Sequence, residues 1–359
     1  LLETLVLNII NHQSLIATKA WQITNAADGR AVMEFGARRA QGPDAATYGA
    51  RAAIIGGCSS TSNVLAAKLF HVPAAGTMAH AWIESFPDEL TAFRAWAKIY
   101  PDTAALLVDT YDVVNSGVPN AIKVFKELRA AGHEPVGIRI DSGDITQLAK
   151  KARKMLDDAG FPNAKITASN ALDAHIVKAL LEDGAPLDNF GIGERLITSS
   201  SSPVLSGVYK MSELENNGKW KPKIKISNSR EKITLPGNKQ VYRLYKKDEP
   251  NKAFADVIAL NDEQIGDTIS AVNADVYATC DKVELKDFVA KPLLSEILTP
   301  DHEKDIETDT FAIQKFAHQK IAELPTATKR LVNPDRYPVF LTKNLADLQQ
   351  KLISEYRNI

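Results

Sequence analysis

Between about residues 30 and 205, short apolar runs alternate with amphipathic stretches of helical spacing. Gly132 and Gly160 directly follow two of these stretches, where glycine commonly ends a helix. Alternating elements of this length predict parallel strands joined by crossover helices, because parallel neighbours need a long connection. We predict strands at Ala31–Phe35, Val72–Ala75, Ala104–Asp109, Val136–Asp141, Lys165–Ser169 and Asn189–Ile192, and helices at Thr61–Phe70, Pro119–Ala131, Ile145–Ala159 and Leu172–Glu182.

Polar residues recur at the points where a predicted strand ends and the next loop begins. In a (β/α) barrel this edge carries the functional groups, although an open doubly wound sheet shows the same pattern. An imidazole, several carboxylates and glycine turns follow such strand ends, which indicates chemistry on a phosphorylated substrate.

The pattern changes after Ser206, where apolar residues begin to alternate with period two. Turn signals at Asn217-Gly218 and at 236–238 separate these runs, which predicts an antiparallel β domain. A charged linker at 300–309 precedes helices near Phe311–Leu324 and Asn344–Tyr356. We expect a (β/α) barrel catalytic domain at 1–205, a β-rich domain at 206–300 and a C-terminal helical segment at 301–359 packing back on the others. The period-two runs are 208–211, 223–226, 232–235, 241–245 and 255–260.

Composition narrows the class of partner. The net charge of −1 gives no global positive field, so nucleic acid is not an expected partner. A run of about 18 apolar residues is missing, so no membrane span is predicted. Cys58 and Cys280 lie far apart, which fits a reducing cytoplasm and argues against a cysteine-based metal cluster. Because Leu1 opens an apolar pattern already in helical register, we interpret the chain as lacking an N-terminal segment.

His80 is the first candidate site residue. With Thr77 as the N-cap, His80 falls at the third helical position, where backbone N–H groups stabilise negative charge. A phosphoryl group on its ring would be well placed there, and Glu84 one turn later could orient the imidazole. The alternative is a histidine that is hydrogen-bonded for structure near a helix start.

Carboxylates follow two later strands. Asp141 precedes a tight glycine turn and could accept ribose hydroxyls or hold Mg²⁺ through water, and Arg139 projects to the same side of its strand. Asp144 or Ser142 could instead simply start the next helix. Asp109 and Asp112 are likewise either active-site acids or caps at a strand end.

Two further segments carry candidate ligand-binding groups. The Gly191-Ile-Gly193 turn follows a strand and would let backbone amides approach phosphate oxygens, although a structural turn explains it equally. Phe35 and Arg38, with hydroxyls at 59–62, could hold a flat anionic ring by stacking and charge-assisted bonds. Surface charge and an N-cap serine are the competing explanation.

Together these segments resemble the nicotinate phosphoribosyltransferase family in order along nearly the whole chain. The matching motifs are Glu-Phe-Gly-x-Arg-Arg at 34–39, Gly-Thr-Met-Ala-His at 76–80, Val-Asp-Thr-Tyr-Asp at 108–112, Arg-Ile-Asp-Ser-Gly-Asp at 139–144, Phe-Gly-Ile-Gly at 190–193 and Lys-Ile-Thr-Leu-Pro-Gly at 232–237. The resemblance implies an irregular α/β barrel of the type II phosphoribosyltransferase kind, with a second β-rich domain and a helical C-terminal tail. It also implies a cytoplasmic homodimer whose active sites are shared between subunits.

The activity implied by the resemblance is the transfer of phosphoribose from 5-phosphoribosyl-1-diphosphate (PRPP) to nicotinate in NAD salvage, with Mg²⁺ held through the substrate diphosphate. ATP hydrolysis would be coupled through a transient phosphohistidine at His80. Asp109 and Asp141 would then be catalytic, as His80 would. The implied substrate-binding residues are Phe35 on the pyridine, Arg38 on phosphate, Arg139 on nicotinate or diphosphate, and Ser169, Gly191 and Gly193 around the 5′-phosphate.

Ser62 bears on which pyridine is used. Nicotinamide-using relatives carry an aspartate there, whereas a serine does not repel the carboxylate of nicotinate. Asn170-Ala171 departs from the more glycine-rich turn expected after Ser169. The alternatives are a quinolinate- or nicotinamide-type phosphoribosyltransferase, or an inactive nucleotide-binding homologue.

Overall fold

The computed structural model of the chain describes residues 2–275, 282–299 and 306–357. These residues form two compact units, one of Asn8–Ser206 with Thr308–Ala317, the other of the described residues within Leu1–Leu7, Gly207–Glu307 and His318–Ile359. The three-part division predicted from the sequence remains a prediction. Cys280 and most of the predicted linker at 300–309 lie outside the described residues.

A six-stranded parallel sheet forms the centre of the first unit. Its order is β2-β1-β6-β5-β4-β3, and every neighbouring pair is parallel. The sheet curves as a half-barrel, so the predicted irregular barrel is confirmed. The strands are β1 (Ala31–Glu34), β2 (Ser60–Thr61), β3 (Ala105–Leu107), β4 (Gly137–Ile140), β5 (Lys165–Ala168) and β6 (Asn189–Ile192).

Helices connect these strands in the predicted way. The helix Ile145–Asp158 buries Ile145, Ala149, Ala152 and Leu156 on one face, and Asp144 caps it by accepting the Gln147 N–H at 3.0 Å. The helices up to residue 206 are α1 (Leu2–Ala26), α2 (Pro43–Ile55), α3 (Val64–Phe70), α4 (His80–Glu84), α5 (Glu89–Ile99), α6 (Val118–Ala130), α7 (Ile145–Asp158), α8 (Ala174–Glu182) and α9 (Glu194–Ile197).

One predicted strand of this unit is wrong. Residues 72–75 make a single parallel bridge, between Ala74 and Thr61, and do not form a strand. The helix predicted from Thr61 begins at Val64 instead, because Thr61 ends β2 and Asn63 caps the helix by accepting the Ala66 N–H at 3.1 Å.

The second unit contains a mostly antiparallel sheet, as predicted. Its order is β12-β11-β14-β10-β9-β13, and the β10–β14 pair is parallel. Its core is made by buried apolar side chains from five of these six strands, with Leu244, Val257 and Ala271 fully buried. The remaining elements are β7 (Glu213–Asn216), β8 (Lys219–Pro222), β9 (Lys239–Lys246), β10 (Ala253–Leu260), β11 (Thr268–Asn273), β12 (Lys282–Lys286), β13 (Phe288–Pro292), α10 (Thr310–Ala322), β14 (Val339–Thr342) and α11 (Lys343–Arg357).

Two features of this unit differ from the sequence analysis. The period-two runs at 208–211, 223–226 and 232–235 do not form strands, whereas 241–245 and 255–260 do. The C-terminal segment is not purely helical, since it contributes β14 to the sheet. The Asn217-Gly218 turn is confirmed: both residues have positive φ, at 54° and 73°, and join β7 to β8 as a two-residue hairpin.

Candidate functional site

A polar cavity lies at the carboxyl ends of β1, β4, β5 and β6. It collects seven of the residues predicted from the sequence, because neighbouring parallel strands end at the same edge of the sheet. The lining residues are Phe35, Arg38, Arg39, Arg139, Asp141, Ser169, Asn170, Ala171, Gly191, Gly193 and Glu194.

Arg139 organises the floor of this cavity. Its Nε donates to Ser169 Oγ at 2.7 Å, one terminal nitrogen donates to Thr77 Oγ1 at 2.7 Å, and the other donates to Asp141 Oδ1 at 2.9 Å. Ser169 Oγ also donates to Asp141 Oδ1. The guanidinium and the carboxylate are therefore held in a fixed relation, with 14% and 21% of their side chains exposed. This pair presents a cation beside an anion in one polar pocket.

Phe35 gives the cavity an aromatic wall. Its ring lies against the backbone of Gly191, where an added Cβ would come within 2.5 Å of the ring edge. The guanidinium carbon of Arg139 is 5.5 Å from the ring centroid, within the range of a cation–π contact. Gly191 is therefore required here for the close approach of an aromatic side chain, whatever contact its amide makes with a ligand.

Asn170 adopts a conformation that favours glycine. Its φ is 111°, and its side-chain Oδ1 accepts the N–H of Ala171 at 2.7 Å. The departure noted in the sequence thus falls on the position after Ser169 where the backbone turns with positive φ. Residues other than glycine are strained in this region of φ. The strained residue lines the cavity.

Asp109 connects His80 to this cavity by hydrogen bonds. His80 Nε2 is 3.3 Å from Asp109 Oδ1. The other oxygen of the same carboxylate accepts the Asp141 backbone N–H at 3.1 Å and the Ser142 hydroxyl at 2.6 Å. The Asp109 side chain is 2% exposed and that of His80 is 41% exposed. The imidazole is therefore held by a buried acid and remains open to solvent.

The predicted start of the His80 helix is wrong. His80 is the first residue of α4, and Ala79 precedes it as an N-cap without a side-chain hydrogen bond. Thr77 does not cap the helix, because its hydroxyl accepts from Arg139. Glu84 is exposed, and the described hydrogen-bond partner of His80 is Asp109, so Glu84 does not orient the imidazole.

Three carboxylates near strand ends act as caps. Asp112 accepts the N–H groups of Val114 at 2.9 Å and Asn115 at 2.8 Å, and these bonds, that of Asn115 first, lower its pKa. Asp144 caps α7. Burial tends to raise the pKa of Asp173, but bonds from helix N–H groups and from Arg195 outweigh it, so the pKa is lowered. The capping interpretation therefore holds for Asp112 and Asp144, and Asp173 caps α8 in the same way.

Ser62, predicted to bind substrate, is exposed and is not among the residues that line the cavity, but it is bonded to Glu34, the last residue of β1, which directly precedes Phe35. The Ser62 N–H donates to the backbone oxygen of Glu34 at 2.9 Å, which places Ser62 one position beyond the paired ends of β1 and β2. Glu34 is fully buried, and burial raises its pKa. Burial of Glu34 was not expected from the sequence, because a charged residue at a strand end is normally exposed.

Arg39, Glu194 and Ala171 also line the cavity but were not predicted individually. Arg39 Nε lies 3.6 Å from Glu194 Oε2, with both side chains more than half exposed. All three follow strand ends, and Arg39 and Glu194 directly follow the predicted residues Arg38 and Gly193. These positions could have been used to predict them.

Across 2–275, 282–299 and 306–357, no group of three or more His, Cys, Asp or Glu side chains is arranged to hold a metal ion. Among the helices in the same ranges, none combines the length and apolar character needed to cross a membrane.

A parallel half-barrel with a polar cavity at its strand ends, accompanied by a second sheet, is the architecture of a type II phosphoribosyltransferase. The model of the nicotinate phosphoribosyltransferase (NAPRTase) family matches residues 30–255, and that of the nicotinate phosphoribosyltransferase C-terminal domain matches residues 238–349. The chain therefore belongs to the nicotinate phosphoribosyltransferase family.

Individual relatives agree with this assignment. The chain is 42% identical over 362 residues to nicotinate phosphoribosyltransferase of Bacillus subtilis, covering all of this chain and 72% of that protein. It is 34% identical to the protein of the same name from Dictyostelium discoideum, covering 98% of this chain and 68% of the relative. The crystal structure of human nicotinic acid phosphoribosyltransferase superposes with a TM-score of 0.82 at 27% identity, covering 97% of this chain and 76% of the human chain.

Proposed function

We propose that this chain forms nicotinate mononucleotide and diphosphate from nicotinate and PRPP, coupled to ATP hydrolysis through a phosphohistidine at His80. The proposal rests on one observation. The aromatic ring of Phe35, the Arg139–Asp141 pair and the histidine held by Asp109 lie together at one edge of the sheet. The family assignment supports the same reaction, which belongs to NAD biosynthesis.

The acceptor ring would stack on Phe35, and Arg139 would attract the carboxylate of nicotinate or the diphosphate. The pyridine nitrogen is already a nucleophile, so it needs placement and no deprotonation. Placement of this kind can contribute roughly 7–11 kcal/mol to lowering the barrier. Arg38, exposed at the cavity mouth, would contact a phosphate group, with Ser169, Gly191 and Gly193 around the 5′-phosphate.

The bond from C1 of the ribose to the diphosphate oxygen breaks as the bond from C1 to the pyridine nitrogen forms. Positive charge develops on C1 and the ring oxygen in between, and carboxylates close to C1 stabilise it. Asp141 lines the cavity and Asp109 lies directly behind it. Mg²⁺ bound to the diphosphate would neutralise the leaving group. Asp109 and Asp141 both accept hydrogen bonds from protein groups, so the substrate oxygens would supply most of the ligands of Mg²⁺.

Transfer of the γ-phosphoryl group of ATP to His80 would add about one and a half to two negative charges to the ring. Water would later release inorganic phosphate and restore the imidazole. Asp109 holds the ring nitrogen Nε2 and contacts Asp141 through the backbone, so a change at His80 reaches the cavity through one carboxylate. This link is the physical basis we propose for the coupling.

Ser62 would favour nicotinate over nicotinamide, since a serine at this position does not repel the ring carboxylate. A cytoplasmic homodimer with shared sites is part of the same proposal. The quinolinate-type alternative uses a substrate with two carboxylates and offers no role for a phosphorylated His80. An inactive nucleotide-binding homologue would have no need to keep His80, Arg139 and Asp141 together.

The test is the formation of nicotinate mononucleotide from nicotinate and PRPP, with and without MgATP. Nicotinamide and quinolinate are tried in parallel. We expect nicotinate to be the preferred acceptor and ATP to stimulate the rate. The His80→Ala variant should keep weak transfer without ATP stimulation, while His175→Ala, an exposed histidine on α8, should behave as wild type. Full ATP stimulation in His80→Ala would refute the coupling, and preference for another acceptor would refute the assigned substrate.

A further inference from the structure

Glu34 is a carboxylate buried at the end of a strand. It is 0% exposed at the end of β1, and among the described residues no basic side chain forms an ion pair with it. Burying an unpaired carboxylate is costly in free energy, unless hydrogen bonds compensate. Burial raises the pKa of Glu34. Burial also raises the pKa of the Cys58 thiol, with a smaller contribution from the charge of Glu34.

Each oxygen of this carboxylate has a different partner. Oε1 accepts the backbone N–H of Gly36, and Oε2 accepts the hydroxyl of Thr61 at 2.6 Å. Glu34 and Thr61 already face each other as partners in the β1–β2 register. The pairing of β1 with β2 therefore does not depend on this carboxylate. Its two hydrogen bonds instead hold the segments that follow the strand ends.

The two partners lie directly beside proposed acceptor-site residues. Gly36 follows Phe35, whose ring forms the aromatic wall against Gly191. Thr61 precedes Ser62, and the Thr61 hydroxyl also accepts the N–H of Asn63 at 2.9 Å, which fixes the turn that carries Ser62. One buried side chain thus connects the segment that carries the ring platform with the segment that carries the proposed specificity residue.

We infer that Glu34 is a positioning residue for the acceptor ring: its carboxylate sets the spacing between Phe35 and Ser62. This inference rests on the proposed function. It predicts a selective effect, because Arg139, Asp141 and Ser169 bond to one another and have no described bond to Glu34. Loss of the Glu34 contacts should therefore weaken nicotinate binding more than PRPP binding.

Thr61→Val is the first variant, since valine keeps the shape of threonine and removes both the donor to Glu34 and the acceptor of the Asn63 N–H. Leaving one buried carboxylate oxygen without its partner should raise the KM for nicotinate about tenfold, with the KM for PRPP changed less than about twofold. The preference for nicotinate over nicotinamide should fall by a similar factor. Thr61→Ser keeps the hydroxyl and should restore wild-type values.

Glu34→Gln tests the carboxylate itself, since an amide presents one acceptor where two donors converge. We expect the KM for nicotinate to rise, and the double variant with Thr61→Val to be less than additive, because both changes remove the same contact. The matched control is Glu89→Gln. Glu89 is another buried carboxylate, 3% exposed and bonded to Ser116 and Asn120, and its change should leave the KM for nicotinate unaltered.

Nicotinate binding by calorimetry provides a readout that does not depend on turnover, and circular dichroism confirms that each variant is folded. Equal increases in both KM values, or an unchanged KM for nicotinate in folded Thr61→Val, would overturn the inference. Absence of nicotinate binding and of turnover in the wild-type protein would instead contradict the proposed function, so the two failures are distinguishable.

Discussion

Replacing Arg139 by lysine keeps the positive charge but removes the planar group that reaches three partners at once. Three different nitrogens of Arg139 donate to Thr77, Asp141 and Ser169, at 2.7, 2.9 and 2.7 Å. A lysine ammonium is a compact charge and cannot meet partners arranged around a planar guanidinium. At least two of the three bonds should therefore be lost in Arg139→Lys.

The expected magnitude follows from these contacts. A hydrogen bond that involves a charged group contributes about 1.5–3 kcal/mol, and the retained charge recovers part of the loss. A net loss of about 3 kcal/mol corresponds to roughly a 150-fold decrease in kcat/KM. The side chain is 14% exposed, so solvent can replace little of what is lost.

The assay is steady-state formation of nicotinate mononucleotide at varied PRPP. Thr77→Val removes one of the three partners and should lower kcat/KM about tenfold, between wild type and Arg139→Lys. A value for Arg139→Lys within about threefold of wild type would refute the reasoning, because it would show that charge alone is sufficient at this position.

Three further predictions concern neighbouring features. Gly191→Ala places a Cβ within 2.5 Å of the Phe35 ring, so we expect at least a tenfold rise in the KM for nicotinate, measured beside the KM for PRPP. Asn170→Gly relieves the strain of a φ of 111° and should raise the free energy of unfolding in urea by about 1 kcal/mol, whereas Asn170→Ala should not. Because the folded state raises the pKa of Glu34, its contribution to stability falls as the pH rises through that pKa; urea unfolding at about pH 5 and about pH 8 should show wild type losing stability relative to Glu34→Gln at the higher pH. No gain for Asn170→Gly, no change in KM for Gly191→Ala, or a pH-independent difference would each contradict the corresponding argument.

The parallel sheet could be predicted from the sequence, because strand and helix periodicity are local signals. The location of the site at the carboxyl ends of the strands followed from this, since adjacent parallel strands end at one edge, whereas Ser169 was expected there from the family resemblance. The strand β14 was missed because it comes from a segment about 80 residues after its neighbour β10 and pairs by a nonlocal contact. Period-two runs after Ser206 were overpredicted, because alternation alone does not supply a partner strand.

The local details of the site were less predictable. Thr77 has the sequence position of an N-cap, but Arg139, which lies far along the chain, uses its hydroxyl. Glu34 ends a strand, where exposure is the ordinary expectation, yet Thr61 and Gly36 enclose its carboxylate. These outcomes depend on contacts between distant segments, so no local pattern contains them.

The proposed coupling requires that His80, held by Asp109 beside the cavity, carries a phosphoryl group during turnover. The most direct measurement is transfer of label from γ-labelled ATP to the protein, followed by mapping of the labelled residue. We predict an acid-labile phosphoryl group on His80 that is lost when nicotinate and PRPP are added, and no labelling of His80→Ala. Labelling that persists in His80→Ala, or a wild-type protein that turns over with ATP stimulation and never becomes labelled, would contradict the account.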